Sequence, residues 1–290
     1  MSGILEIRVA LVAISLAAAS VAGGMNVERA MDLYQRAEYQ AAIDVLLPLT
    51  PKGPDSLALL GRAYYMNGQY KLATEYLEKA VAADPSNAGY YDWLGRAYGR
   101  RAETSSFLTA LPHASRTREN FEKAVTLDPV NLEALSDLFE YYLEAPRALG
   151  GGMDKAEAIA ARIGQLDKAE FECKLAEIAE KRKQHQSAEQ HLRRAVAIEP
   201  GHIGRVIDLG EFLTGQGRYE ECDELFRIAE RQSPDSPRLM FARARLEIRT
   251  GRDLNEAKNL LRNYLASPIT PDDPPRSDAL LLVKKLAVGR

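Results

Sequence analysis

The residues that most often carry catalysis or bind metals are few in this sequence and poorly spaced for either task. The chain has four histidines and two cysteines. His185 and His191 are six residues apart, so on a helix they point to different faces, and His202 stands at no ligand spacing from either. Cys173 and Cys222 fall in separate predicted helices, whereas a disulfide needs their Cα atoms within about 7 Å. The sequence predicts no metal site and favours two separate thiols.

Acid–base and nucleophilic chemistry also lacks a recognisable arrangement of residues. No Ser, His and Asp pattern falls in a turn, no nucleophile elbow is present, and no pair of carboxylates can be placed on a rigid pocket. The glycines Gly150, Gly151 and Gly152 have no preceding strand and no following Lys-Ser or Lys-Thr, as a phosphate-binding loop requires. We therefore predict a protein that is not an enzyme and has no cofactor.

The strongest signal is a spacing pattern in LALLGRAYYMNGQYKLATEYLEKAVAADP, residues 57–85. From Leu57 to Tyr64, apolar and small residues recur at intervals of three and four, which predicts one face of a helix, and Ala73 to Ala80 does the same for a second helix. Gly68 falls between the two, and Gly is favoured just past a helix end. Because Gly61 and Ala73 are small, we expect two antiparallel helices in close contact.

This stretch resembles a tetratricopeptide repeat (TPR), in which an aromatic residue, Leu-Gly, Tyr, Ala, Phe and Pro follow at fixed offsets over about 34 residues. Leu57 stands at the first aromatic position and Leu77 at the Phe position, and the other elements match. A second near-full match covers residues 206–234, and looser copies extend the resemblance over residues 26–266. The resemblance implies an all-α fold, a right-handed α-α superhelical solenoid of about seven TPR hairpins with a C-terminal capping helix.

The sequence divides into three parts. Residues 1–22 contain an apolar run too short to span a membrane, followed by a small-residue cleavage site, and we interpret them as a signal peptide. The alternative is a first solenoid helix. Residues 23–266 form the TPR solenoid, and residues 267–290 form a Pro-rich link and the capping helix. We expect an exported protein, periplasmic or secreted, without stable membrane insertion after signal cleavage.

Two insertions interrupt the repeat, near residues 101–116 and 145–153. Both fall between the two helices of a hairpin, and such insertions map to loops on one edge of a solenoid. Because the two hairpins are adjacent, we expect the insertions to be neighbours in space. They form a candidate lip for a ligand or partner, made of Phe107, Leu111, Leu149, Gly150, Gly151 and Gly152. The alternative is that they only cover an exposed helix end.

Charged residues recur on the predicted first helix of each hairpin, directly after the Leu-Gly pair or its equivalent. In TPR proteins this helix lines the concave surface that usually holds the partner. The predicted groove is basic in its first third, acidic in the middle and basic at its end. The candidate partner-binding residues are Arg62, Tyr65, Arg96, Arg100, Glu140, Leu143, Glu177, Glu211, Phe241 and Arg245. The alternative is that these charges only solvate an otherwise apolar helix.

We predict a non-catalytic scaffold or adaptor that holds a protein or peptide in this groove, with arginines facing carboxylates. The net charge of −3, without a long run of one sign, points away from nucleic acid. The carboxylate clamp of chaperone-binding TPR domains uses Lys and Asn where Arg62 and Arg96 stand. The resemblance therefore does not predict that this chain binds the C-terminal carboxylate of a peptide. The alternative is a small-ligand receptor whose pocket lies under the two insertions.

The second insertion has the pattern AP…GGG…KA, which together with the apolar first insertion looks like a group of exported bacterial TPR proteins. This likeness implies architecture and compartment, and it implies no activity.

Overall fold

The structure, a computed structural model, describes residues 24–288, which form α-helices and short connections without a strand. The predicted signal peptide lies outside the described residues. Seven antiparallel hairpins pair the helices α1 (24–35) with α2 (Tyr39–Leu46), α3 (Pro54–Met66) with α4 (Tyr70–Ala83), α5 (Ala88–Thr104) with α6 (Phe107–Leu127), α7 (Leu132–Glu144) with α8 (Met153–Leu166), α9 (Lys168–Lys181) with α10 (His185–Ile198), α11 (Ile203–Gly215) with α12 (Tyr219–Gln232), and α13 (Pro237–Thr250) with α14 (Leu254–Ala266). The last helix, α15, spans Arg276–Val288. The predicted all-α solenoid is confirmed.

The small residues of the repeat pattern bring the two helices of a hairpin into contact. A Cβ atom built on Gly61 would lie 2.5 Å from Cγ of Leu77, so only glycine fits at this crossing. The sixth hairpin repeats the arrangement, since a Cβ atom on Gly210 would lie 2.3 Å from the ring of Phe226. Gly68 has φ +73° and ends the turn between α3 and α4 in a backbone conformation that glycine favours.

Polar side chains start several of the first helices. Asn87 accepts a hydrogen bond from the Tyr90 N–H at 3.3 Å, and Asn131 accepts one from Ala134 at 3.0 Å. Asp167 accepts two, from the first turn of α9. These caps satisfy N–H groups that have no partner within the helix, and they fix where each hairpin begins.

The first insertion is helical, which corrects the predicted loop. Helix α5 continues to Thr104 and α6 starts at Phe107, so the extra residues lengthen both helices and leave a short turn between them. The physical reason is composition, because the inserted residues are rich in Arg, Ala and Leu, which favour helices.

The second insertion forms a tight turn against the end of α7. A 3₁₀ turn spans Arg147–Leu149 and ends at Gly150, which has φ +90°. The Gly152 N–H donates to the Tyr142 carbonyl at 2.8 Å, so the chain folds back onto α7. A Cβ atom on Gly151 would lie 1.9 Å from the Ala145 carbonyl oxygen. The glycine run therefore serves close backbone packing.

Replacing Gly151 with Ala should lower the free energy of unfolding by about 1–3 kcal/mol, because the added methyl group overlaps a backbone carbonyl. Gly201→Ala is the matched control, since nothing lies within 4 Å of a Cβ atom there. Urea denaturation followed by circular dichroism measures both. Equal midpoints for the two variants would contradict the packing described.

The two ends of the solenoid meet. Ala37, in the turn of the first hairpin, packs against a C-terminal apolar cluster that contains Tyr264 and Ile269. The C-terminal link, residues 267–275, runs from α14 to α15 and passes beside the first hairpins on its way. The Tyr264 hydroxyl donates to the Pro274 carbonyl, which fixes the course of the link. The row of hairpins therefore closes end to end, a feature that the sequence pattern did not predict.

Between residues 24 and 288, no helix combines the length and the apolar character that crossing a bilayer would take.

A candidate groove along the first helices

Three adjacent cavities lie along the face formed by the first helices. The first cavity, of about 440 Å³, contains Arg62; the second, of about 640 Å³, contains Tyr65; and the third, of about 600 Å³, contains Glu177. Arg96 lines both the first and the second cavity, and Glu140 lines both the second and the third. The three cavities are therefore neighbours, and together they make the candidate groove.

Most of the predicted partner-binding residues lie in this groove. The ones that line a cavity are Arg62, Tyr65, Arg96, Arg100, Glu140, Glu177 and Glu211. Arg245 does not line these cavities and forms an ion pair with Glu211. Leu143 and Phe241 are buried in apolar clusters, which corrects the prediction that they contact a partner. Leu143 stands one helical turn after Glu140 and Phe241 one turn before Arg245, on parts of their helices that pack into apolar clusters.

Arg62 lies between two aromatic rings in the first cavity. Its guanidinium carbon is 4.8 Å from the ring centroid of Tyr34 and 4.8 Å from that of Trp93. No ion pair involves Arg62 in the part of the chain that the structure describes. A guanidinium held in this way is stabilised by cation–π contacts and keeps its N–H groups for another acceptor.

Arg96 is surrounded by carboxylates, so the first third of the groove is not the basic region that the sequence predicted. Its guanidinium contacts Asp92 at 3.2 Å, Glu133 at 2.7 Å and also Asp137. Burial raises the pKa of Asp92 and that of Asp137 above the usual range, and the Arg96 charge opposes the rise. Glu133 and Asp137 come from the next hairpin, which is why a search within one repeat missed them.

The second cavity lies where the two insertions meet. Ala102 and Glu103 from the first insertion and Leu149 from the second all line it. The predicted lip is only partly assembled, because Leu111 is 40% exposed and neither it nor the glycine run lines the cavity. The side chain of Phe107 lies outside what the structure describes.

The third cavity holds one lysine among several carboxylates. The buried Lys174 ammonium lies 3.0 Å from Glu177, 3.3 Å from Glu170 and 3.9 Å from Glu140. Burial raises the pKa of Glu177 to about 7, although Lys174 opposes the rise. Phe139 supports the lysine from below, with its ring centroid 5.1 Å from the ammonium. The carboxylates that line this cavity outnumber its cations, which are Lys174 and the arginines Arg205, Arg238 and Arg249, so the cavity carries an excess of negative charge.

Stability should fall as the pH rises from about 4.5 to about 7 because of Glu177. Its pKa in the folded chain is about 7, against 4.5 for the free side chain, so the folded state binds more protons across this range. Glu177→Gln should flatten this part of the pH dependence of the free energy of unfolding. Glu75→Gln, which replaces an exposed glutamate of α4, is the matched control. The assignment is wrong if the two variants give the same pH profile.

Within residues 24–288, no group of three or more His, Cys, Asp and Glu side chains is arranged to hold a metal ion. Cys173 and Cys222 are buried as separate thiols. Burial raises the pKa of Cys173 to about 12, which keeps this thiol protonated and unreactive at neutral pH.

A repeated antiparallel helical hairpin with one charged face defines an α-helical repeat solenoid. Family models described as tetratricopeptide repeat match residues 54–87 and 179–246. The chain is a tetratricopeptide repeat protein.

Solved TPR structures share this fold at low sequence identity. A tetratricopeptide repeat protein from Parabacteroides merdae is 13% identical, with a TM-score of 0.57 over 91% of this chain and 98% of that one. The TPR protein TTC0263 from Thermus thermophilus is 21% identical, with a TM-score of 0.55 over 66% and 98%. The human IFIT1 dimer with PPP-AAAA is 17% identical, with a TM-score of 0.56 over 84% and 55%. No curated protein sequence matches the chain.

Proposed function

We propose that this TPR protein is a non-catalytic scaffold that holds a protein or peptide segment in the groove. TPR proteins in general serve as protein-interaction scaffolds. The observation that carries the proposal is the placement of Arg62, Arg96, Glu140, Glu177 and Glu211, which occupy one repeat position and line three adjacent cavities.

The charge of the third cavity supports a partner segment that contains Lys or Arg. Glu140 and Glu177 share the single ammonium of Lys174, and burial raises the pKa of both carboxyls. Glu177 is the less exposed of the two, so part of its dehydration is already a cost of folding, and an added cation gains attraction there with less further loss of hydration. The same carboxylates would repel a phosphate chain. The groove thus favours a basic peptide over a ligand such as the PPP-AAAA held by human IFIT1.

Binding to the full chain tests this proposal. The tagged chain should retain its partner from extracts of its own source at low salt and release it at high salt, since screening weakens attraction between exposed charges. The double variant Glu140→Gln/Glu177→Gln should lose the partner, and Glu75→Gln should keep it. A partner that all three proteins retain equally would place the binding surface outside the groove.

We also propose that the protein acts in the periplasm or outside the cell, which rests on the predicted signal peptide at residues 1–22. The mass of the protein purified from its source tests this, because cleavage should leave a chain that starts near Gly23.

A small-ligand receptor at the second cavity stays the alternative prediction. Replacing Leu149 with Arg would place a charge beside the apolar side chains of that cavity, so the variant should lose an apolar small ligand and still retain a peptide partner. A variant that loses the peptide partner and keeps the small ligand would contradict the small-ligand receptor hypothesis.

A further inference from the structure

We propose that the first cavity is a binding site for an acidic, proline-containing peptide segment, and that the chain's own C-terminal link (residues 267–275) is its resident ligand. This goes beyond the scaffold function, because it assigns the N-terminal end of the groove to a segment of the same chain. The link would then regulate which partners can enter that end.

The receptor side of this site is Arg62 with its two aromatic neighbours. The Arg62 Nε atom is buried and has no hydrogen-bond partner in the described part of the chain. Tyr34 and Trp93 both lie within cation–π distance of the guanidinium, a contact that leaves its N–H edge for a ligand. Carboxylates are the anions that match this edge, through two parallel N–H···O bonds. Arg96, by contrast, already contacts three carboxylates.

The ligand side is the sequence SPITPDDPPR from Ser267 to Arg276. Its four prolines restrict the backbone, and a turn closed by the Asp273 N–H on the Thr270 carbonyl contains Pro271 and Asp272, so the segment loses little entropy on binding. Pro271 and Asp272 line the first cavity together with Tyr34, Arg62 and Trp93. The link thus brings a proline and a carboxylate to a cavity that contains aromatic rings and Arg62.

The link is held at its ends and by a turn in its middle, where Asp273 accepts hydrogen bonds from the N–H and the hydroxyl of Thr270. Ile269 is buried, and Arg276 donates to the Ser267 carbonyl at 2.8 Å. Asp272 stays exposed and makes no ion pair in the described structure, although it borders the cavity of Arg62. A segment tethered in this way competes at an effective concentration of the order of millimolar. A partner segment of the same chemistry can replace it when it adds the ion pair that Asp272 does not make.

Tryptophan fluorescence provides a direct measurement. Trp93 is the only tryptophan of the chain and lies in the first cavity, and the peptide SPITPDDPPR contains no aromatic residue. The peptide is titrated into the full chain and into a release variant, Pro271→Ala/Asp272→Ala. We expect the release variant to respond to the peptide at a concentration at least about tenfold lower than the parent, because its own link no longer competes.

Two controls identify the binding residue and its chemistry. Adding Arg62→Ala to the release variant should abolish the response, and Arg62→Lys should weaken it, since lysine keeps the charge but lacks the planar donor edge. Circular dichroism shows whether each variant is folded, and the lysine variant provides the test if the alanine variant is not. A peptide with Asn in place of both Asp residues should bind more weakly.

Equal responses of the parent and the release variant would overturn the proposal, and so would a response that Arg62→Lys leaves unchanged. The double variant Glu140→Gln/Glu177→Gln should leave the fluorescence response intact. Failure of this site and failure of the scaffold groove can therefore be told apart.

Discussion

Replacing Phe139 with Ala is expected to lower the free energy of unfolding by about 3–5 kcal/mol, the range for a fully buried aromatic residue. Phe139 is 0% exposed and belongs to the apolar cluster that joins the third, fourth and fifth hairpins, where it packs with residues such as Leu135 and Ile163. Its ring also lies under the Lys174 ammonium, so the variant loses a cation–π contact as well as the packed ring.

The position of Phe139 makes this loss visible in the shape of the unfolding curve. A hairpin of a solenoid contacts its neighbours, so a weak hairpin in the middle divides the array into two less strongly coupled halves. Urea denaturation followed by far-ultraviolet circular dichroism should therefore show a broader transition at a lower midpoint. Leu108→Ala is the control, since Leu108 is 81% exposed and its removal should change stability by less than about 0.5 kcal/mol. Matching curves for the two variants would refute the central role of this cluster.

Replacing Arg96 with Met is expected to cost about 3–5 kcal/mol at neutral pH, the range for removing one partner of a buried ion pair. The change leaves Asp137 without the cation that balances it, beside Asp92, whose pKa burial already raises to about 8. Arg100→Ala is the control on the same helix, because the pair between Arg100 and Glu103 is exposed and worth about 0–1 kcal/mol.

The cost of Arg96→Met should also depend on pH, with a sign that follows from the carboxylates. Without Arg96 the pKa values of Asp92 and Asp137 rise further, so the folded state binds still more protons than the unfolded state near neutral pH. The stability of the variant should fall more steeply than that of the parent as the pH rises from 5 to 8. Denaturation at these two pH values measures this, and parallel losses would show that charge balance is not the role of Arg96.

The hairpins could be predicted from the sequence because the TPR pattern is local. Gly61 and Ala73 are small in the sequence and close in the structure, and Gly68 has the positive φ that the turn requires. The charged row was predictable for the same reason, since one position per repeat comes to lie on one face. Arg62 and Glu177 both line the groove as expected.

What the sequence could not predict depends on contacts between repeats. Arg96 is basic in the sequence, yet carboxylates from the next hairpin surround it. Lys174 was not expected in the groove, because its role appears only once Glu140 of the preceding hairpin lies beside it. Leu143 and Phe241 were placed on the open face, but both are buried in apolar clusters. Periodicity predicts which face of a helix a residue lies on. Packing between helices decides whether that part of the face is buried or open.

The contact between Ala37 and the C-terminal cluster changes how this array can come apart. The end units of an open array hold on through a single interface, so they fray first and exchange their amide hydrogens fastest. Here the first hairpin is held on both sides, by the second hairpin and by the cluster around Tyr264 and Ile269. Its protection from exchange therefore depends on residues more than 200 positions away in the sequence. Loosening the C-terminal link would leave both ends of the array free to fray, and the hairpins would no longer unfold together.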